Sequence, residues 1–441
     1  MSEKTNEKDS DLMEKIVSLC KRRGFVFQGS EIYGGLAGTW DYGPYGAELA
    51  HNIKELWWKH FVTEQENIFG ISTPTLVPEA VWKASGHLSG FSDPMIECKK
   101  CHHRFRADHL EDKKKCPDCG GELGGEKAFN LMFPVGVGSS GDGVAYLRGE
   151  IAPGMFLNFK NVIDSMHPDL PFGLAQIGKA YRNEIAPRDF LFRVREFDLM
   201  EFEYFIREAD WEKYFEYWRG EMWKWIERVG INKDMVHELE VSKEDRAFYS
   251  KRTIDFEFDY PFGKKELYGL AYRTDHDLKS HSAGSGVDLT FFDEETKDRF
   301  FPHVVEPSFG NGRTMLAVLV SAYKEDMMGD ESRVYLAFNP KIAPVKIAVF
   351  PLLKNKPELV EKAREIYKQL KKEFGAVVFD DNGNIGKRYR RQDEIGTPWC
   401  VTVDFETIEK DAGVTMRDRD SGKQKRMQLP EIISFIKSQF S

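Results

Sequence analysis

Two consecutive strands with charged residues on one face limit the possible folds of this sequence more than any other feature. Residues 176 to 205 read QIGKAYRNEIAPRDFLFRVREFDLMEFEYF, which predicts a strand, a short loop and a second strand. The side chains of interest are Arg182 and Glu184 on the first strand and Arg193, Arg195, Phe197 and Glu201 on the second. Successive side chains of a strand alternate between faces, so the even spacing places these residues on a common face of each strand.

The residue types on this face suit a nucleotide. Arginine supplies rigid donors for phosphate oxygens, Phe197 offers a flat surface for a base, and Glu184 can accept from an exocyclic amine. This combination predicts an ATP site. If the run is considered alone, an arginine and glutamate ladder on an exposed sheet face is the alternative.

Four of the six cysteines form two closely spaced pairs, Cys98 with Cys101 and Cys116 with Cys119. The pairs read CKKC and CPDC, and two glycines follow the second pair. Two intervening residues let both thiolates of a pair face one ion, and four sulfur ligands select tetrahedral zinc with no open position. The spacing therefore predicts a structural Zn²⁺ site. Two disulfides or unliganded thiols are the alternatives, and the variant ligands to consider are His102, His103 and His109.

The composition excludes several classes of protein. With 441 residues, of which 41% are apolar and 31% charged, the chain is long enough for two or three domains and can bury a sizeable core. This excludes a disordered or low-complexity protein. The first residues are densely charged, and no apolar run of 18 residues follows, so we expect a cytoplasmic protein without a membrane segment.

The net charge of −9 argues against a nucleic-acid partner until its distribution is considered. Residues 341–441 hold 20 Lys and Arg against 15 Asp and Glu, whereas the rest of the chain is acidic. A basic C-terminal module on an acidic body is the resulting prediction.

The apolar patterns predict an α+β body with an antiparallel sheet over residues 11–340, interrupted by a zinc-binding insertion at 91–128. Short apolar runs between 144 and 208, GMFLNF among them, are predicted as strands, and the stretches 211–229 and 313–328 as helices. A linker is expected at 340–344. Beyond it, strands that alternate with helices predict a small α/β domain over 345–441.

Several segments resemble a known family. The RxE, loop, RxxxFxxxE arrangement is similar to motif 2 of class II aminoacyl-tRNA synthetases, PSFGNGR is similar to their motif 3, and the predicted helix 47–61 with its following strand is similar to motif 1, the dimer-interface element. Other segments, spread over nearly the whole chain, resemble the single-polypeptide glycyl-tRNA synthetases. These are SEIYGGLAGTWDYGPYGAELAHNIKELWW, SGHLSGFSDPM, FRADHL, NFKNV, QIGKAYRNEI, FRVREF, VVEPSFG and GNIGKRYRRQDEIGTP.

The resemblance implies a catalytic domain of the class II synthetase type and an anticodon-binding C-terminal domain. It implies ATP-dependent attachment of glycine to tRNA(Gly) through a glycyl-adenylate, with Mg²⁺ accompanying ATP, by a homodimer. A non-catalytic nucleic-acid-binding relative on the same scaffold is the alternative. A synthetase for another amino acid, or a free amino-acid ligase, would need a different pocket.

The same resemblance implies roles for individual residues. Arg182 would hold the α-phosphate, Glu184 would meet the adenine, and Arg193 with Arg313 would engage the distal phosphates. The catalytic residues would be Arg182 and Arg313. The ATP-binding set would be Arg182, Asn183, Glu184, Phe192, Arg193, Arg195, Phe197, Glu266, Leu267, Gly310 and Arg313. The glycine-binding set would be Arg106, Glu150, Glu201, Arg273, Glu306 and Ser308. The anticodon-binding set would be Lys387, Arg388, Tyr389, Arg390 and Arg391.

Two positions depart from the family pattern. This chain reads RGEIAPG at 148–154 where members commonly read RPETAQG, so Gly149, Ile151 and Pro153 stand in place of Pro, Thr and Gln. Tyr268 stands where some members carry a second acid beside Glu266. Both departures bear on how the site carboxylates are placed.

Overall fold

The structure is a computed structural model that describes residues 3–141, 143–247, 249–410 and 412–440, with side chains described from residue 11 onward and His109 excepted. None of the helices it describes is long and apolar enough to cross a membrane.

The helices of the N-terminal body begin and end at residues that suit those positions. Pro44 and Pro153 lie in first turns, where a missing N–H costs no hydrogen bond. Gly230 ends its helix in the left-handed conformation with φ of 85°. The body helices are α1 (Glu3–Arg23), α2 (Pro44–Trp58), α3 (Glu79–Ala84), α4 (His87–Gly90), α5 (Ala152–Met166), α6 (Trp211–Val229), α7 (His276–Ser285) and α8 (Asn311–Ala322).

Strands make up most of the rest of the body. They are β1 (Val26–Gln28), β2 (Trp40–Tyr42), β3 (Ile68–Gly70), β4 (Leu76–Pro78), β5 (Ser92–Glu97), β6 (Arg104–Arg106), β7 (Lys127–Asn130), β8 (Phe133–Val137), β9 (Gly143–Leu147), β10 (Phe172–Tyr181), β11 (Glu196–Ile206), β12 (Val236–Glu240), β13 (Arg252–Tyr260), β14 (Gly263–Thr274), β15 (Phe291–Phe292), β16 (Arg299–Phe300), β17 (His303–Gly310), β18 (Tyr323–Met328) and β19 (Glu331–Leu336).

The largest sheet has the order β12-β13-β14-β17-β11-β10-β3 in the described residues and is antiparallel except where β3 joins β10. One face packs against α2, α6 and α8 through a large aromatic core that includes Trp57, Phe202 and Phe309. The other face packs against α5 and α7 near β10 and β11. Between these helices, part of this second face stays open, and the charged residues lie there. The predicted antiparallel α+β body is confirmed.

The insertion and the C-terminal module have their own sheets. Strands β5, β6 and β7 form a small antiparallel sheet beside the four cysteines. The C-terminal elements are β20 (Ile347–Pro351), α9 (Pro357–Phe374), β21 (Val377–Phe379), α10 (Ile385–Ile395), β22 (Trp399–Val403), α11 (Phe405–Glu409), β23 (Val414–Asp418), β24 (Gln424–Met427) and α12 (Leu429–Ser438). Their mixed sheet has the order β21-β20-β22-β23-β24, which confirms the predicted α/β class.

Two local predictions are wrong, and one expected linker is packed against the body. GMFLNF lies in α5 rather than in a strand, because its apolar residues supply the buried stripe of a helix. The helix predicted at 313–328 ends at Ala322, and the chain continues as β18. The linker expected at 340–344 is packed: the Asn52 side chain donates hydrogen bonds to the carbonyls of Ile342 and Ala343, each at 3.2 Å.

A buried ion-pair network joins the body to the C-terminal module. Asp393 of α10 is fully buried and accepts two hydrogen bonds from the guanidinium of Arg417, at 2.7 and 3.0 Å. Arg333 of β19, which is 2% exposed, lies 3.7 Å from the same carboxylate. Its guanidinium also donates to Asp326 at 2.8 Å and to the carbonyl of Arg419. Ion pairs and carbonyls together therefore fix the position of the module on the body.

Candidate active site and metal centre

Two neighbouring cavities lie on the open face of the large sheet. The first cavity, of 390 Å³, is lined by residues from β5, the β10–β11 loop, β14, β17 and α8. The second cavity, of 270 Å³, lies over β13, β14 and β17. Four side chains line both cavities: Arg182, Glu201, Glu266 and Ser308. A ligand in one cavity can therefore approach a ligand in the other.

Arg182 follows β10 and is held by aromatic rings and one carbonyl. Its guanidinium carbon lies 5.0 Å from the ring centre of Phe91 and 5.4 Å from that of Phe197. Its Nε donates to the carbonyl of Gly149 at 3.1 Å. A side chain at position 149 would place its Cβ 2.9 Å from the Phe91 ring, so glycine there lets the ring approach. These contacts orient the guanidinium for a phosphate. Sequence reasoning assigned no role to Phe91, although this residue lies in the SGHLSGFSDPM segment.

Glu184 and Arg193 carry buried polar atoms with no hydrogen-bond partner. These atoms are Oε2 of Glu184 and Nη1 of Arg193. Burial raises the pKa of Glu184 and lowers that of Arg193. Buried polar groups are normally paired, so these two atoms mark where a ligand would supply a donor and an acceptor. Both residues line the first cavity, as predicted for an adenine and a phosphate contact.

Arg313, Phe192 and Glu266 form the far side of the first cavity. The Arg313 guanidinium lies 3.0 Å from the Glu266 carboxylate and 4.5 Å from the centre of the Phe192 ring. Its positive charge lowers the pKa of Glu266. Leu267 and Gly310 also line this cavity.

A second acid stands near Glu266, but it comes from the neighbouring strand. Asp255 on β13 pairs with Gly269, and burial together with the charges of Glu266 and Glu257 raises its pKa to about 7. Tyr268 points to the opposite face, where its hydroxyl lies 3.1 Å from Trp225 Nε1. Sequence reasoning missed Asp255, although the alternation in IDFEFDY could have placed it on the face of Glu266.

Two residues of the predicted ATP set lie apart from the others. The guanidinium of Arg195 donates to the carbonyl of Glu184 at 3.0 Å and to that of Ala37. The backbone N–H of Asn183 donates to the carbonyl of Leu131 at 2.8 Å. Neither residue lines the first or the second cavity. Arg195 instead joins the glycine-rich loop before β2 to the loop before β11.

Arg273 is a buried cation paired with Glu306, which lines the second cavity. It is 1% exposed, and its Nη1 donates to both carboxylate oxygens of Glu306, each at 2.9 Å. Its Nε and Nη2 donate to Asp277 at 2.8 and 2.9 Å. The ring centre of Tyr249 lies 3.8 Å from its guanidinium carbon. Sequence reasoning missed Asp277 and Tyr249, which reach the site only through the tertiary fold.

Glu201 and Ser308 face each other across β11 and β17. The Ser308 hydroxyl donates to Oε1 of Glu201 at 2.5 Å, whereas the buried Oε2 has no partner. Burial, together with the charges of Glu306 and Glu150, raises the pKa of Glu201 to about 8. A cationic group would both satisfy Oε2 and stabilise the ionised carboxylate.

Glu150 is anchored by a histidine. Its carboxylate lies 2.9 Å from Nε2 of His87, and Nδ1 of His87 lies 2.8 Å from the Ser85 hydroxyl. Burial favours the neutral acid, but the His87 ring, Arg182 and Arg273 outweigh it and bring the pKa of Glu150 down to about 2. This carboxylate is therefore ionised at neutral pH.

The RGEIAPG segment keeps Glu150 in place. Pro153 lies in the first turn of α5, so its missing N–H disturbs no hydrogen bond. Arg148 is buried and donates to the carbonyls of Lys179 at 2.7 Å and Thr73 at 2.9 Å. The departure from the family pattern thus changes the contacts around the segment without unfolding the start of the helix.

Arg106 reaches the site from the cysteine-containing insertion. Its guanidinium donates to Asp93 at 2.5 Å and to Asp108 at 2.7 Å, and it lines the first cavity beside Arg182. The structure therefore separates it from Arg273 and Glu306, the other members of the predicted glycine set that lie deeper in the sheet.

The four cysteines converge on one point. Their sulfur atoms all lie within 4.8 Å of one another. The backbone N–H groups of Lys100 and Cys101 point to Sγ of Cys98 at 3.4 and 3.5 Å. These hydrogen bonds, and that from Cys101 most of all, lower the pKa of the Cys98 thiol to about 6. Four sulfurs in this arrangement fit a tetrahedral ion such as Zn²⁺. His109 lies outside the described side chains.

We expect one zinc ion per chain and its loss from a Cys116→Ser variant, because three protein ligands leave the tetrahedral site incomplete. Elemental analysis of the purified proteins measures this. Cys400→Ser is the matched control, since Cys400 is buried in the C-terminal module and should leave the zinc content at one. Equal zinc in the Cys116 variant and the unmodified protein would contradict the assignment.

The five residues of the predicted anticodon-binding set all lie on α10, where they differ in exposure. Arg388 is 1% exposed and donates to the carbonyls of Asp381 at 3.0 Å, Gly383 at 2.7 Å and Pro351. Tyr389 packs on Phe350. Of the other three, Arg390 and Arg391 pair with Glu331 and Asp380, and Lys387 is exposed. A run of basic residues in a sequence cannot distinguish solvent-facing side chains from those that bind carbonyls.

Comparisons with known proteins agree with this site. Residues 140–322 match the family described as the tRNA synthetase class II core domain (G, H, P, S and T), and residues 346–439 match the anticodon binding domain family. The match to the class II core, together with the antiparallel sheet that carries these arginines, identifies the chain as a class II aminoacyl-tRNA synthetase.

Three relatives specify the class further. A glycine–tRNA ligase of Clostridium acetobutylicum is 47% identical, covering 97% of this chain and 99% of the relative. Glycine–tRNA ligases of Treponema denticola and Thermobifida fusca are each 46% identical over 97% of this chain, and cover 97% and 98% of those relatives. The chain belongs to the glycine–tRNA ligase family.

Proposed function

We propose that this protein attaches glycine to tRNA(Gly) in an ATP-dependent reaction that passes through a glycyl-adenylate. One observation carries the proposal: the first cavity, with unpartnered polar atoms on Glu184 and Arg193, adjoins a second cavity lined by buried carboxylates, and the two cavities share Arg182 and Glu201. Membership in the glycine–tRNA ligase family supports the choice of amino acid and RNA.

In the first step, the glycine carboxylate attacks the α-phosphorus of ATP in line, and the bond to pyrophosphate breaks. Arg182 stabilises the charge on the α-phosphate, while Arg193 and Arg313 hold the distal phosphates. The glycine carboxylate is already ionised at neutral pH, so no protein base is needed for this step. Positioning and fixed positive charge supply the catalysis.

In the second step, a hydroxyl of the terminal ribose of tRNA attacks the adenylate carbonyl, and AMP leaves. Glycine stays oriented because its ammonium group lies among the carboxylates of Glu150, Glu201 and Glu306. These side chains and the Tyr249 ring, which stacks on Arg273, line the second cavity. Selection for glycine is therefore by steric exclusion of larger side chains.

Mg²⁺ is the companion of ATP in this proposal. Glu266 and Asp255 offer carboxylate oxygens at the edge of the first cavity and are the residues that would hold it. The ion would neutralise charge on the phosphates.

The wider proposal concerns domains and partners. We assign residues 11–340 to the catalytic domain, 91–128 to its zinc-binding insertion and 345–441 to the anticodon-binding domain. A homodimer in the cytoplasm is part of the same proposal, on the strength of the motif 1 resemblance of α2. The non-catalytic alternative has no observation in its favour, since Arg182, Arg193 and Arg313 all line the first cavity.

The exchange of radiolabelled pyrophosphate into ATP tests the function. We expect exchange when glycine is added and none with alanine or serine. Exchange with alanine or serine but not with glycine would contradict the amino-acid assignment. Absence of exchange with any amino acid would favour the non-catalytic relative.

The KM for glycine is expected to fall as pH rises towards 8. Glu201 has a raised pKa of about 8, so below that pH the free enzyme holds a proton that must leave before the ammonium can pair with the carboxylate. One such proton changes KM by up to about tenfold per pH unit, with levelling above pH 8. Exchange kinetics between pH 6.5 and 8.5 measure this; a flat profile would contradict the role.

A Glu201→Gln variant is the matched control for this pH dependence. Its amide cannot ionise, so its KM for glycine should be high and should lose the component that falls towards pH 8.

A further inference from the structure

Glu203 is a buried acid two residues from Glu201, which lines the second cavity, and it has no role in the reaction described above. It is fully buried, and among the described residues no donor lies within hydrogen-bond distance of either of its carboxyl oxygens. It follows Glu201 by two residues on β11 and therefore points to the same face of the sheet. A buried acid with two unpaired oxygens beside a substrate pocket requires a physical explanation.

The strand register places Glu203 directly across from Glu306. β11 pairs antiparallel with β17, with Glu201 opposite Ser308 and Tyr204 opposite Val305, so Glu203 and Glu306 face each other on the pocket side. Directly opposed residues have Cβ atoms about 4.5–5.5 Å apart. Two carboxyl groups at that spacing, away from water, cannot both be ionised at low cost.

The other groups around Glu203 do not neutralise a negative charge there. Its neighbour on β10 is the apolar Leu174, and the apolar cluster on this face of the sheet includes Phe156 and Phe159 of α5. The charged groups that act on it are Glu201 of its own strand, Glu306 of β17, Arg273 of β14 and Asp277 of α7. His281, further along α7, is a buried titratable group near Asp277.

Arg273 is already shared by two acids. Its donors are committed to Glu306 and Asp277, so one positive charge faces two carboxylates before Glu203 is counted. Burial first, and then the charge of Glu306, raise the pKa of Glu203 well above its ordinary value. The neutral acid is the form that this environment favours.

We propose that Glu203 is a neutral carboxylic acid that donates its O–H to the carboxylate of Glu306 and so fixes that carboxylate towards the ammonium group of the amino acid. Glu203 is thus a positioning residue that acts through Glu306. The inference rests on the proposed function, because it assigns the ligand of Glu306 to the ammonium of glycine. The device orients one carboxylate without adding a second negative charge to the pocket.

Two variants of similar volume separate a donor from a charge. Glu203→Met removes the donor, and we expect it to raise the KM for glycine in pyrophosphate exchange by about tenfold while the KM for ATP is unchanged. Glu203→Gln keeps an N–H donor and should stay within about threefold of the unmodified enzyme. Glu227→Met, on the exposed face of α6, is the control for loss of a glutamate elsewhere. A Gln variant as impaired as the Met variant would overturn the proposal.

Infrared spectroscopy tests the protonation state without the reaction. The spectrum of the unmodified resting protein minus that of the Glu203→Gln variant at neutral pH should contain the carbonyl band of a protonated carboxylic acid. A carboxylate band in its place would overturn the proposal. If the unmodified protein gives no exchange with glycine, the proposed function fails, while the infrared result still decides whether Glu203 is protonated.

Discussion

An Arg182→Ala variant is expected to lose about 10²- to 10³-fold in the rate constant of glycine-dependent pyrophosphate exchange. Removal of one preorganised donor from a developing negative charge has this magnitude in other enzymes. Arg182 is preorganised because Phe91, Phe197 and the carbonyl of Gly149 hold its guanidinium. Saturating exchange kinetics separate this loss in rate from any change in the KM for ATP or glycine.

Arg188→Ala is the matched control for Arg182. Arg188 lies in the same β10–β11 loop, is about half exposed, and does not line the first or second cavity. Its replacement removes the same charge and should leave exchange within about twofold, as surface changes usually do. An Arg182 variant with the same rate constant as the Arg188 variant would contradict the phosphate role.

An Arg273→Met variant should lose exchange activity and about 3–5 kcal/mol of unfolding free energy. Removal of one partner from a buried ion pair leaves the other charge uncompensated, and here two carboxylates, Glu306 and Asp277, would be left. Equilibrium denaturation in urea measures the stability, and pyrophosphate exchange measures the activity.

Arg252→Met provides the comparison for Arg273. Arg252 also pairs with two acids, Glu240 and Glu216, but its side chain is 25% exposed, so the loss should stay below about 1 kcal/mol. A double variant, Arg273→Met with Asp277→Asn, should be more stable than Arg273→Met alone, because one unpaired charge is removed. Equal stability of the Arg273 and Arg252 variants would contradict the buried network.

Residues that follow a regular spacing could be predicted from the sequence. The even spacing along 176–205 placed Phe197 and Glu201 on one face, and the helical period predicted α6 as Trp211–Val229, which the structure confirms. The CxxC pairs predicted the four-sulfur cluster. In each case the signal is local, because a strand, a helix turn or a metal knuckle fixes geometry over a few residues.

The remaining site residues could not be found in this way, because their neighbours are distant in the sequence. Asp277 belongs to the site through Arg273, His87 through Glu150, and Asp255 through Glu266. Asp277 and Asp255 lie outside the segments of family resemblance, and His87 lies in one, SGHLSGFSDPM, without a role that the sequence could assign. The burial of Arg388 could not be predicted for the related reason that burial depends on the tertiary fold, in which its guanidinium binds three carbonyls.

The same limit applies to short apolar runs. GMFLNF contains enough apolar residues for a buried strand or for the inner stripe of a helix, and only its packing against β10 and β11 decides for α5. Likewise, the chain leaves α8 at Ala322 because β18 pairs with β19, a partner that lies further along the sequence.

The buried network around Arg333 and Asp393 fixes the distance between the catalytic cavities and the C-terminal module. Because ion pairs shielded from water join β19 to α10, the span between the two cavities and the C-terminal module is set by the fold rather than by the RNA. An RNA that engages both ends at once must match that span. If the proposed function holds, a tRNA with a longer or shorter arm would reach one end and miss the other.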